Sequence, residues 1–433
     1  MCCLLNSENS NGNERENRKG PVNINFILFL FGRVVSDTGT SIQMMIMPLY
    51  IIDAGGTAAT VGVFSFLSLM PALLVYPFAG VIGDRRNRKI IMVVTDFVNA
   101  GAILGLALLS NWGVMRLSFL LIVQVVISLM NGLFEPATRG MLPQLVKKEE
   151  LTRHNSIVAS TRSASILLGP VIGALLYASF GVTLVFVANG VSFMISGISE
   201  MIIRYTHIKQ EAPDGPKGML NDLFEGVRFV LQNKLIRKLS FFLLVSYFVI
   251  QPIFSVILPL FFKKSLSFSD AHYGYLQTII ILGALIGSVM VGYLFGKEVR
   301  MSKPLVMGSS ILLSSMFIFS ILLFPKSLYI FGNDSTIYFI LLASILCMFS
   351  AGSMFISIPV QSFIQQATPN EYMSRVFSLV NMISRGGIPF GALMYGTILE
   401  RAEMHWTMLI TTVLMIFAMT MLLISLSRSY SDR

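Results

Sequence analysis

Gly80-Val81-Ile82-Gly83-Asp84-Arg85-Arg86-Asn87-Arg88-Lys89 separates two long apolar runs, 58–82 and 89–110. Each run is long enough to cross a bilayer as a helix, which takes about 20 apolar residues. The decapeptide therefore reads as a tight, strongly basic turn between two membrane helices. A merely solvated loop on the positive side of a membrane would need only the cations. Here a single carboxylate, Asp84, stands among them, after two glycines that let helices approach closely. A carboxylate beside several cations at a helix end can pair with neighbouring basic groups and helix dipoles. That combination fits a loop that holds parts of the molecule together.

Working outward, the composition agrees with a membrane setting. The chain has 433 residues, of which 54% are hydrophobic and 12% charged, and its mean hydropathy is +0.74. Soluble domains carry roughly 25% charged residues. Residues 1–23 are polar and rich in Asn and Glu, a composition expected to form a disordered tail. The apolar run near 24–50 is too long for a cleaved signal and carries charge at its centre, so it reads as a true span. Of the three cysteines, Cys2 and Cys3 follow no apolar segment and Cys347 lies in an apolar run; no metal or redox spacing exists and no cofactor is expected.

Twelve candidate spans follow at about 24–50, 58–82, 89–110, 115–137, 156–180, 183–203, 238–262, 272–296, 303–325, 337–360, 372–399 and 405–427. They predict an all-α membrane protein of twelve transmembrane helices. The polar break 204–237 divides it into a six-helix bundle at 24–203 and another at 238–427, with a short tail at 428–433. The net charge of +10 does not indicate nucleic acid, because no aromatic-interleaved basic patch is present. With the N-terminus inside, 24 of the 32 Lys and Arg residues fall in cytoplasmic segments. This asymmetry predicts that both termini are cytoplasmic.

The two halves also repeat. Glu149, Arg153 and Ser156 before span 5 recur as Glu371, Arg375 and Ser378 before span 11, and Gly173-Ala-Leu-Leu-Tyr177 recurs as Gly391-Ala-Leu-Met-Tyr395. Two parallel six-span repeats form a transporter architecture.

The basic loop resembles the loop between helices 2 and 3 of the major facilitator superfamily of secondary transporters. The resemblance implies a gating latch formed by Gly80, Gly83, Asp84, Arg85, Arg88 and Lys89, in which Asp84 and Arg88 clamp span 2 against span 11. Asn87 replaces the family's usual Gly and is expected to tolerate a left-handed backbone there. Gly169-Pro170-Val-Ile-Gly173-Ala174 on span 5 is similar to the family's exporter motif, with Ala174 in place of the last Gly. Pro136 to Pro143, Pro369 to Ser378 and Asp222 to Arg228 resemble the macrolide-efflux and siderophore- or peptide-exporter branch. One departure is Ser128, which stands where many proton-driven exporters carry an Arg on span 4.

Few charges lie inside the spans. A charge near the bilayer centre costs about 2.5–3.5 kcal/mol on insertion scales, so each must face a cavity or a partner. Arg33 and Asp37, spaced i and i+4, share one helix face. Asp37 is the candidate for taking up a proton or meeting a cationic substrate; the competing reading is a permanent structural pair with Arg33. Asp96 on span 3 is expected to pair with Arg139 or the latch in a gating role. Arg162, Arg385, Tyr247 and Gln251 complete the proton and substrate candidates. No nucleotide-binding motif or soluble catalytic domain is evident, so an enzyme is not expected. The reading is a monomeric exporter of amphipathic small molecules, such as a drug, antibiotic or secreted metabolite, by proton antiport at the cell membrane. A lipid or lysophospholipid transporter and a solute importer are the alternatives on the same fold.

Overall fold

The computed structural model describes residues 24–85, 87–146, 151–204, 227–295, 302–368 and 373–431. Spans 1 to 4 are the helices Ile24–Asp53, Ala58–Arg85, Arg88–Asn111 and Leu117–Leu145. Leu151–Ile202 carries spans 5 and 6, and the chain turns between them at Gly181. The φ of +73° at Gly181 is a conformation that residues bearing a Cβ rarely adopt. Span 7 runs from Lys234 to Ser265 through a π-turn at Ile253–Ile257. Asp270–Phe295, Ser302–Leu322, Thr336–Ala367, Met373–Ile398 and Met404–Ser431 are spans 8 to 12, with the short helix Pro325–Phe331 between spans 9 and 10. Nine of the described helices are long and apolar enough to cross a membrane, and one of these, Ile157–Ile202, is long enough to cross twice.

The packing repeats with a shift of six spans. Span 2 lies on span 4 as span 8 lies on span 10, span 3 on span 4 as span 9 on span 10, and span 1 on span 5 as span 7 on span 11. The two halves meet through spans 2 and 11 and through spans 5 and 8, which the same shift relates.

Small residues make these approaches possible, as they do generally between helices in lipid. A Cβ on Gly173 of span 5 would lie 3.3 Å from Ile42 of span 1, and one on Gly391 of span 11 would strike the Phe248 carbonyl of span 7. The repeated glycine thus performs one packing role in both halves. Gly169 of the span 5 motif likewise admits Ser41 at 2.5 Å from a notional Cβ. Between the halves, a Cβ on Gly62 of span 2 would be 2.6 Å from the Ala392 carbonyl and 3.0 Å from Gly396 of span 11.

Asn87 corrects one expectation. Its φ of −62° and ψ of 112° are extended rather than left-handed, and its side chain accepts a hydrogen bond from the Lys89 N–H at the start of span 3. Asn satisfies there an amide that helix geometry leaves free. The family's glycine is replaced by a helix cap, not by a residue that copies its backbone. The side chains of Glu149, Arg153, Ser156, Glu371, Arg375 and Ser378 lie outside the described residues, as does the linker segment 205–226.

Candidate functional site

The charges of the first half converge on a residue that the sequence reading passed over. Glu135, in the second half of span 4, accepts from Arg162 of span 5 at 2.9 Å and from Arg139 one turn along at 3.2 Å. Its other oxygen lies 3.6 Å from Arg33 of span 1. Arg33 reaches Asp37 at 3.3 Å and lies over the Phe134 ring, 5.1 Å from its centroid. Asp37 stands thirteen residues into a 30-residue helix, about 20 Å along it at 1.5 Å per residue. The Arg33 side chain is only 5% exposed, so its charge must be balanced locally. Two carboxylates and the two cations Arg33 and Arg162 supply that balance across spans 1, 4 and 5.

Asp96 does not join this network. The pair expected with Arg139 is replaced by the Arg139–Glu135 contact, and Asp96 is buried between spans 3 and 6. Ser128 explains how span 4 manages without an arginine at that point. Its fully buried hydroxyl donates to the Ser68 carbonyl and accepts from the Ala72 N–H, stapling span 4 to span 2.

The side chains of Asp84 and Arg85, and the surroundings of Gly80 and Gly83, lie outside the described residues. Arg88 donates to the Gly140 carbonyl at 2.6 Å, and Lys89 to the Met201 and Ile203 carbonyls at 2.7 Å each. A cation at the end of span 6 suits the helix dipole. These two residues tie span 3 to spans 4 and 6 within the first half.

The second half holds a cavity of about 290 Å³. It lies between spans 7, 8 and 10, and Leu312 of span 9 and Met415 of span 12 also line it. Tyr247 and Gln251 line it, as do Phe254, Gln277, Ser353 and Met354. The π-turn after Pro252 starts just beyond Gln251, and such turns recur where a helix is shaped around a functional site. Among the described residues, no charged side chain lines this cavity. Arg385 is exposed and lies within electrostatic reach of Tyr76 on span 2. Arg33, Asp37 and Arg162 thus share a charged cluster in one half, Tyr247 and Gln251 an uncharged cavity in the other, and Asp96 and Arg385 stand apart from both.

A clasp joins the halves at the end away from the basic loop. Lys263 of span 7 contacts Asp53 of span 1 at 2.7 Å and Asp270 of span 8 at 2.5 Å. Tyr177 of span 5 donates to the same Asp53 oxygen at 2.7 Å. The Gly62–Gly396 approach lies on the same side, since both residues are near the ends of their helices closest to the clasp. Sequence reasoning placed Asp53 and Lys263 in or beside loops. Nothing in their spacing joins residues 210 positions apart.

A sequence profile of the Major Facilitator Superfamily matches residues 29–392. The chain belongs to the Major Facilitator Superfamily. It is accordingly a multi-pass membrane transporter. It is 25% identical over 403 residues to macrolide efflux protein A of Streptococcus pyogenes, covering 91% of this chain and 94% of that protein. It is 22% identical over 407 residues to the multidrug efflux pump Tap of Mycobacterium tuberculosis (strain ATCC 25618 / H37Rv), covering 91% of each. Among solved structures it superposes on a bacterial homologue of the iron transporter ferroportin in its inward-facing state. The TM-score is 0.72 at 16% identity, over 94% of this chain and all of that one. At that identity the likeness speaks for the fold alone.

Proposed function

We propose that this transporter exports amphipathic small molecules in exchange for protons, by alternating access, as a monomer in the cell membrane with both termini in the cytoplasm. The observation that carries the reading is the separation of charge from cavity. A cavity lined by Phe, Tyr, Met, Gln and Ser, with no ionised group, suits a molecule with apolar bulk and a few hydrogen-bonding groups. At about 290 Å³ it takes a compact substrate, or one end of a larger one. The other half contains a mid-membrane carboxylate, Asp37, held by a single cation. Such a group can exchange a proton for its ion pair. The names of the efflux relatives support drugs and macrolides as the substrate class, and the span 5 motif Gly169-Pro170-Gly173 supports export over import.

With the basic loop cytoplasmic, the clasp of Asp53, Lys263 and Asp270 closes the outer face. This arrangement is inward-facing. Opening outward would break the clasp and bring the basic loop toward span 11.

The test is susceptibility of an efflux-deficient bacterium to a panel of lipophilic drugs that includes macrolides. Expression of the wild-type chain is expected to raise the tolerated concentration severalfold for at least one class. No protection by a chain that reaches the membrane would overturn drug export and favour a lipid transporter.

A further inference from the structure

Asp96 on span 3 and Glu200 at the end of span 6 have exposures of 1% and 0%. Asp96 Oδ2 and both Glu200 carboxyl oxygens have no hydrogen-bond partner among the described residues. The two carboxyls lie within electrostatic range of each other, and Ser196, one turn before Glu200, stands beside Asp96. Asn99, three residues on from Asp96 and on the same helix face, leaves its own buried Oδ1 unpartnered. Span 1 covers the group from the other side, where a Cβ on Gly32 would lie 3.1 Å from the Ser196 hydroxyl. An acceptor sealed from water and without a donor is costly, and an ionised one far more so.

The surrounding charges do not relieve it. On span 1, Arg33 faces the pair electrostatically, but its guanidinium is engaged by Asp37 and Glu135. Asp37 adds a further negative charge nearby. On span 4, Glu135 is taken up by Arg33 and Arg162, and Arg139 pairs with Glu135. On span 3, the Lys89 ammonium is taken up by the Met201 and Ile203 carbonyls. Arg204, beyond span 6, is exposed. Asp37 and Glu135 already match Arg33 and Arg162, so among the described residues no buried cation remains for Asp96 and Glu200.

We infer that Asp96 and Glu200 form a second proton-binding site, distinct from Asp37 and linked to it through Arg33. At least one proton resides on the pair and supplies the missing donor. The Arg33 Nε–H is buried without a partner, so the guanidinium has a donor to spare. When Asp37 takes up a proton, its hold on Arg33 lapses. Arg33 can then donate to the Asp96–Glu200 pair, whose proton leaves past the nearby end of span 6, where the chain meets water at the exposed Arg204. The proton gained at Asp37 and the proton lost from the pair balance, and the cation moves between them. This exchange rests on the proton-antiport reading; the protonated pair does not.

Difference infrared spectroscopy of the purified protein at neutral pH reads the carbonyl stretch of a protonated carboxylic acid directly. The wild type is expected to show such a band, sensitive to hydrogen–deuterium exchange and retained in Asp37→Asn. Glu200→Gln is expected to shift it, and Asp96→Asn combined with Glu200→Gln to remove it. Should the double variant not fold, the two single variants carry the same test, since each must shift the band. A band indifferent to both substitutions would overturn the site. So would a band that sodium ions displace at constant pH, which would make it a metal-cation site. If the band behaves as expected while vesicles show no pH-driven export, the antiport reading fails and the proton site stands. If export is pH-driven and the band ignores both residues, the reverse holds.

Discussion

Asp37→Asn abolishes drug protection and leaves the protein in the membrane. The substitution keeps the size of the side chain and its ability to accept a hydrogen bond, but removes its charge and its titration. Arg33 is not stranded, because Glu135 lies 3.6 Å away and its Phe134 contact is untouched. Breaking a buried pair is costly chiefly when one charge is left alone, at about 3–5 kcal/mol, and that does not occur here. Membrane abundance should therefore match wild type, while the tolerated drug concentration falls to that of cells without the protein. Equal protection by wild type and Asp37→Asn would reduce Asp37 to a structural partner of Arg33.

Gly62→Leu jams the outer face. A first side-chain atom at residue 62 would already lie 2.6 Å from the Ala392 carbonyl and 3.0 Å from the Gly396 Cα. Those atoms are backbone and cannot swing aside. Overpacking of this kind costs about 1–3 kcal/mol, and about 1.4 kcal/mol is tenfold in an equilibrium. The penalty falls on the outer-closed arrangement, where spans 2 and 11 touch. The population should move about tenfold or more toward the outward-open state, and protection should be lost. The check is a thiol reagent that does not cross membranes, applied outside to Gln277→Cys in the cavity wall, with Cys2, Cys3 and Cys347 replaced. Labelling should be about tenfold faster with Gly62→Leu. Gly101→Leu is the control, since a Cβ at residue 101 meets nothing within 4 Å. Unchanged labelling in the Gly62 variant would mean that spans 2 and 11 do not part during transport.

Much of this was legible along the chain because it depends on local periodicity. The apolar runs gave the helices, and the i, i+4 spacing gave the Arg33–Asp37 pair. The repeated Gly-Ala-Leu motif located equivalent close approaches of span 5 to span 1 and of span 11 to span 7. Tyr247 and Gln251, polar residues just ahead of Pro252 on span 7, line the cavity. What the sequence left hidden lies between helices. Glu135 carries no local signal in the chain, yet three arginines from three directions converge on it. Asp96 lost its expected partner because the packing of spans 3 and 6 turns it toward Glu200. Glu200 itself sits at the tail of span 6, where nothing in the sequence marks it out. The Asp53–Lys263 clasp joins residues far apart in the chain. Cross-helix register is set by which small residues meet, and a one-dimensional pattern does not contain it.

Under the proposed function, an inward proton gradient drives the substrate outward. Everted membrane vesicles acidified inside, and supplied with a drug that the wild-type chain protects against, measure it directly. The drug is expected to accumulate within the vesicles and to leave when an ionophore collapses the pH gradient. Accumulation that ignores the gradient, or that follows sodium instead, would contradict it.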